Sequence, residues 1–133
     1  MSQHVRIARP VRNIALSTAM YTQGLALRKV GDFVDHDGFD GVMLEAPGKG
    51  FHFEFTHCRN NPITPHTTPE DLLVFYVPSQ DDWKARCQAM LDAGFLEVEP
   101  YNPYWKQNGR TFQDADGYRV VIQQASWGGS EEG

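Results

Sequence analysis

Gly50-Phe51-His52-Phe53-Glu54-Phe55 and Gly117-Tyr118-Arg119-Val120-Val121-Ile122 are the two stretches whose comparison decides the fold. Each sets a glycine before a run of aromatic and β-branched residues, the composition of a strand. They stand 67 residues apart, about half of the 133-residue chain. The offset persists outward. Gly24-Leu25-Ala26-Leu27 has its counterpart in Ala93-Gly94-Phe95, with Leu27 and Phe95 separated by 68 residues. Each half opens with a short apolar strand, Ile7 to Val11 and Leu72 to Val77. A near-constant offset over this length argues for two copies of one supersecondary unit. Two copies imply a pseudo-two-fold axis, and a pocket is expected where the copies face each other.

Within the first copy, Val5 to Val11 reads as a strand and Asn13 as the cap of a helix over Ile14 to Gly24. Ile14, Leu16, Met20 and Tyr21 are expected on the buried face of that helix. Leu27 to Val34 and Phe39 to Ala46 read as strands joined by the hairpin signal Asp37-Gly38. Phe51 to Thr56 alternates, with Phe51, Phe53 and Phe55 on one face and His52, Glu54 and Thr56 on the other. In the second copy, Ser79 caps a helix over Gln80 to Ala93 that Gly94 ends. Trp83, Cys87, Met90 and Leu91 are expected on its buried face. Phe95 to Val98 is a strand, Glu99 to Gln107 a long loop, and Gly109 to Gln113 pairs with Tyr118 to Gln124 across Asp116-Gly117. Each half thus reads strand, helix, then three strands.

The expected division is a single domain over residues 1–127. Repeat one covers about 5–57, a linker 58–69 and repeat two about 70–125, followed by a flexible tail at 128–133. The chain carries a net charge of −5, which argues against a nucleic-acid partner, since that needs a basic face. No apolar run approaches a membrane span, and the N-terminus lacks a signal-peptide core. Cys58 and Cys87 lack metal or redox spacing, so free thiols in a reducing cytoplasm are expected.

Two β-α-β-β-β units containing these words resemble the vicinal-oxygen-chelate superfamily, which includes glyoxalase I, extradiol dioxygenases and fosfomycin- and bleomycin-resistance proteins. Ala8-Arg9-Pro10-Val11-Arg12-Asn13, Met20-Tyr21 and Gly24-Leu25-Ala26-Leu27 resemble the superfamily's opening strand and helix. Phe112-Gln113-Asp114-Ala115-Asp116-Gly117-Tyr118 resembles its closing hairpin. Asn102 to Phe112 is similar to a segment of small glyoxalase-like bacterial proteins. The resemblance implies an α+β fold in which eight strands curve into an incomplete barrel around a cleft, and a homodimer. Metal-dependent members hold a divalent cation with one side chain on the first and last strand of each unit. Carried onto this chain, those places fall on Arg6, Glu54, Leu72 and Val121. Only Glu54 offers a ligand atom, because arginine has no lone pair and leucine and valine have no donor atoms. No cofactor is therefore expected. A metal rebuilt near His52 and Glu54 is the disfavoured alternative.

The candidate ligand-binding residues are Arg6, His52, Glu54, Tyr104, Trp105, Asn108 and Arg110. Glu54 is either a ligand-orienting carboxylate or base, or the structural partner of Arg6 or Arg110. His52 shares its face and has a pKa suited to acid–base work. Of Arg6 and Arg9, one must face inward, where it would grip an anionic group or pair with Glu54. Tyr104, Trp105 and Asn108 form either a lid beside the closing hairpin or a packed loop. The strand after them is expected to carry Arg110 toward the cleft. His57, Cys58 and His66 read as scattered linker residues. The leading expectation is a metal-independent small-molecule binding protein of the glyoxalase/bleomycin-resistance type. A lyase or dioxygenase-like enzyme and a protein-interaction module are the alternatives, and whether any reaction is catalysed is left open.

Overall fold

The computed structural model describes residues 3–127, and the chain divides after His66 into two compact units. The expected tail lies outside the described residues. No helix among the described residues is long and apolar enough to cross a membrane.

The first unit runs β1 (Val5–Pro10), α1 (Ile14–Leu25), β2 (Arg28–His36), β3 (Phe39–Glu45) and β4 (Phe51–Cys58). Its sheet has the order β1-β4-β3-β2, with β1 parallel to β4 and the other pairs antiparallel. The Asn13 side chain accepts the Leu16 N–H at 3.0 Å and so fixes the start of α1. Asp37 and Gly38 both take positive φ, 52° and 85°, the hairpin geometry that matches strand twist. Val42, Leu44, Phe53 and Phe55 are buried on one face of the sheet. The Tyr21 ring of α1 meets Phe53 and Phe55 edge-on at 5.6 and 4.9 Å.

Two local expectations are corrected. Leu16 is 45% exposed, and the buried face of α1 is instead Ser17, Met20, Tyr21, Gly24 and Leu25. Ser17, Met20, Tyr21 and Gly24 follow the helical i, i+3, i+4, i+7 spacing, which Leu16 misses by one position. Gly24 lies inside the helix, and Ala26 takes the left-handed conformation at φ 56°.

The second unit runs β5 (Leu72–Tyr76), α2 (Gln80–Asp92), β6 (Leu96–Val98), a 3-10 turn (Pro103–Lys106), β7 (Gly109–Gln113) and β8 (Arg119–Gln123). Its order, β5-β8-β7-β6, repeats the first sheet strand for strand, with β5 parallel to β8. Neither sheet closes on itself among the described residues. The Ser79 hydroxyl caps α2 by accepting the Asp82 N–H at 3.2 Å. At the other end Gly94, at φ 98°, donates to the Leu91 carbonyl and Phe95 donates to that of Met90, closing the helix with a left-handed glycine. Cys87 and Met90 are buried, Trp83 is half-buried and donates its indole N–H to the Ile122 carbonyl, and Leu91 turns outward.

The segment expected as a long open loop contains the 3-10 turn, capped where Asn102 Oδ1 accepts the Tyr104 N–H. The β7–β8 hairpin is held by Asp114, whose Oδ1 accepts the Asp116 and Tyr118 N–H groups at 2.8 and 3.0 Å. Gly50 and Gly117, the glycines of the repeated stretch, both have positive φ, 79° and 96°. Each turns the chain into the closing strand of its unit, a conformation that favours glycine.

Candidate functional site

Alternation along the first sheet turns Val42, Leu44, Phe53 and Phe55 toward α1 and their neighbours to the opposite, open face. On that face the register aligns Arg28, Glu45, His52 and Arg6 in one row across all four strands. The next row is Gly31, Met43, Glu54 and Ala8, and beyond it come Phe33, Gly41 and Thr56. A bulge at Val30, between the paired residues Lys29 and Gly31, is what returns β2 to this phase.

The row is bonded from both edges. Arg28 pairs with Glu45 at 2.8 Å. Arg6 Nε donates to His52 Nε2 at 2.9 Å, and its Nη1 stands 3.5 Å from Glu54 Oε2. His4, just ahead of β1, stacks its ring on His52 at 4.8 Å and brings its Nε2 within 2.6 Å of His52 Nδ1. Arginine can only donate, so His52 Nε2 must be the acceptor. A neutral His52 then carries its proton on Nδ1 and donates it to His4. The hydrogen-bond chain thus assigns both tautomers and leaves neither ring nitrogen of His52 free.

The arrangement holds His52 neutral. Burial, the Arg6 guanidinium and His4 lower its pKa from the ordinary 6.5, against the opposing pull of Glu54 and Glu45. A base with a depressed folded pKa contributes stability that is present above the unfolded value and lost as pH falls through the folded one. An NMR titration should therefore find the His52 midpoint below 6.5, and Arg6→Gln should move it upward. A midpoint unmoved by Arg6→Gln would show that the bond does not hold in solution.

Beside the charged row lies an apolar platform. The Phe33 ring lies over Gly41, filling the space a Cβ there would need. Met43 Cε sits 2.9 Å from where a Cβ on Gly31 would stand. Both side chains are half-buried, so each keeps an open surface.

The same lattice positions in the second unit carry different chemistry. There the first row reads Leu96, Gln113, Arg119 and Leu72, and the second Val98, Thr111, Val121 and Val74. Arg119 donates to Gln113 Oε1 at 3.1 Å.

Arg110 is not on the face that carries Val121, which corrects its expected orientation. It pairs with Ile122 and shares a face with Phe112, whereas Thr111 pairs with Val121. Its guanidinium grips Glu97 through two bonds of 2.6 and 3.0 Å and lies 5.5 Å over the Phe112 ring. That bond lowers the Glu97 pKa and raises that of Arg110, while burial raises the neighbouring Cys87 thiol. The partner of Glu54 is accordingly Arg6.

The remaining expected residues are placed as follows. Arg9 faces the α1 side, with its guanidinium 5.9 Å from the Phe53 ring centre. Tyr104 and Trp105 meet edge to face at 4.9 Å on the 3-10 turn, Tyr104 exposed and Trp105 half-buried. Asn108 is exposed, and its carbonyl accepts the Gln124 N–H. His57 and Cys58 belong to β4 and not to a linker, and the His57 ring bonds the Val11 carbonyl at 3.1 Å. His4, Arg28, Glu45, Phe33 and Met43 join the site without having been anticipated. Arg28 and Glu45 stand either side of the Asp37-Gly38 turn with opposite charges, which is the one sequence signal that could have found them.

Among the described residues no group of three or more His, Cys, Asp or Glu side chains is placed to hold a metal ion. A cavity of about 710 Å³ lies between α1 and the β2–β3 hairpin. Its charged walls are already matched, Lys29 with Asp32 and Arg59 with Asp40. The hydrogen bond from Arg59 lowers the Asp40 pKa.

Comparison with known proteins agrees with this architecture. The YycE-like N-terminal domain model matches residues 5–56 and the YycE-like C-terminal domain model residues 70–124. The uncharacterized protein YycE of Bacillus subtilis (strain 168) is 40% identical over 118 residues, 89% of this chain and 85% of that protein. The crystal structure of a Bacillus subtilis YycE protein of unknown function, a candidate glyoxalase/fosfomycin resistance protein, aligns with a TM-score of 0.83 and 38% identity. That alignment covers 94% of this chain and 91% of the other. The fosfomycin resistance protein FosX from Mesorhizobium loti aligns at TM-score 0.68 and 10% identity over 99% of this chain and 94% of its own, a likeness of fold alone.

Proposed function

The chain belongs to the YycE-like family of the vicinal-oxygen-chelate superfamily, and from that premise we propose that it binds a small molecule on the open face of its first sheet without a divalent metal. The observation that carries this reading is the position of Arg6. Its guanidinium reaches both His52 and Glu54, the two side chains around which a rebuilt metal site would have to form. A cation entering there would displace Arg6 from Glu54 and compete with His4 and Arg6 for the two nitrogens of His52. The other superfamily positions, Leu72 and Val121, add no donor atom. A fixed guanidinium supplies positive charge without coordination chemistry, and it prefers planar oxyanions. The homodimer common in the superfamily forms part of the same proposal.

Elemental analysis and thermal shift with zinc, nickel and manganese test it. The expected result is no bound metal and no stabilisation, because a ligand that binds only the native state must raise the melting temperature. One metal ion per chain, lost in Glu54→Gln, would overturn the reading.

A further inference from the structure

The open face of the first sheet also describes what it would bind, an inference that rests on the metal-independent reading above. Three features lie within reach of one small molecule. The first is a donor. Arg6 is 53% exposed at its side chain, and among the described residues only its Nε and Nη1 are engaged, the latter in a long 3.5 Å contact. Nη2 is left to bind an oxyanion. The second is an acceptor. Glu54 meets Arg6 through Oε2, which leaves Oε1 without a partner among the described residues. The third is the platform of Met43 and the Phe33 ring, folded over Gly31 and Gly41.

Register sets the scale. Met43 lies opposite Glu54 on the adjacent strand, and Gly41, under the Phe33 ring, is two residues further along. With strands about 4.8 Å apart and two residues spanning about 6.8 Å, the backbone of Gly41 stands roughly 8 Å from that of Glu54, the residue Arg6 reaches. The charges on the face restrict the head group further. Glu45 is neutralised by Arg28, but Glu54 stands beside the anion site and would repel a bare carboxylate. A ligand that places a hydrogen-bond donor against Glu54 turns that repulsion into a bond.

We infer that the site takes a small carboxylic acid with a hydroxyl or amine on the neighbouring carbon and a planar apolar side chain. The acid sits on Arg6, the hydroxyl or amine on Glu54, and the side chain over Met43 and Phe33. His52 takes no direct part. It holds Arg6 in place through Nε2 and is therefore a positioning residue.

The test is a binding series on the full chain, read by thermal shift and by the NMR shifts of the Met43 methyl and His52 ring. The probes are 3-phenyllactate, 3-phenylpropionate without the hydroxyl, 3-phenyllactamide without the charge, and lactate without the ring. Saturable binding of 3-phenyllactate is expected, with each of the other three at least about tenfold weaker, the loss that follows from removing one hydrogen bond to a charged group or one buried ring. Arg6→Gln should remove the preference for phenyllactate over phenyllactamide, and Glu54→Gln should reduce that over phenylpropionate. The Arg6 side chain is 53% exposed and that of Glu54 19%, and the Met43 methyl shift of the free variants checks that both fold.

Absence of saturable 3-phenyllactate binding, or equal binding of any one of the three truncated probes, overturns the assigned ligand class. Zinc, nickel and manganese run alongside separate the two claims. Stabilisation by a metal that is lost in Glu54→Gln overturns the metal-independent reading. Equal binding of phenyllactamide without any metal effect overturns only the ligand class.

Discussion

Phe53→Ala is expected to destabilise the first unit by about 3–5 kcal/mol, the range for deleting a fully buried aromatic ring. Phe53 has no exposed surface, and its ring meets Tyr21, Phe51 and Phe55 within 6 Å, at 5.6, 5.8 and 5.5 Å. Those neighbours come from α1 and from β4 itself, so no single shift of one element refills the space. Glu54, the next residue along the strand, points the other way. Glu54→Gln should change stability by less than about 1 kcal/mol, since a 3.5 Å ion pair to an arginine that is 53% exposed contributes little, and glutamine keeps the shape of the side chain. Urea denaturation followed by far-ultraviolet circular dichroism measures both. Comparable losses in the two variants would show that β4 does not separate core from site as its alternation requires.

Asp114→Ala should cost about 2–4 kcal/mol, with the damage centred on the β7–β8 hairpin. Asp114 is 7% exposed, and one of its carboxylate oxygens accepts two backbone N–H groups across the turn. Hydrogen bonds to a charged acceptor contribute about 1.5–3 kcal/mol each, and their loss strands two donors in a buried turn. Asp114→Asn keeps an oxygen in the same place and should cost less than half as much. Hydrogen exchange at the Asp116 and Tyr118 amides, measured with urea denaturation, reads the effect. If the asparagine variant is as unstable as the alanine variant, the negative charge matters and the geometry of acceptance does not.

The β-α-β-β-β repeat was legible in the sequence because its markers are local. Asn13, Ser79, Asp37-Gly38 and Gly94 each act within a few residues of their own position. The end of α1 was not legible. The helix runs one residue past its expected end at Gly24, and Ala26 takes the left-handed position without any sign in its side chain. The pairing of His52 and Glu54 on one face followed from alternation. The platform beside it did not, because a bulge at Val30 changes the phase of β2 midway and brings Gly31 and Phe33 onto the face of Arg28. Arg110 was read toward the wrong face although the sequence held the answer. It shares parity with Phe112, and a phenylalanine in a closing hairpin belongs against the helix. His4 was missed because it stands ahead of the strand and acts through a stacked ring.

The charged row occupies one copy of a repeat whose other copy has the same strand order and almost none of the same chemistry. Where the first unit sets Arg28, Glu45, His52 and Arg6, the second sets Leu96, Gln113, Arg119 and Leu72 in the corresponding cross-strand row. The backbone is therefore indifferent to what this face carries, and under the proposed reading specificity resides in a handful of side chains that the cores do not use. Such a scaffold is evolvable in a definite sense. A lineage can exchange one ligand for another by altering the row and the platform while Phe53, Tyr21 and their neighbours stay unchanged. Sequence divergence within the family should then concentrate on one face of one sheet, and relatives that share the packing of this chain need not share the ligand proposed for it.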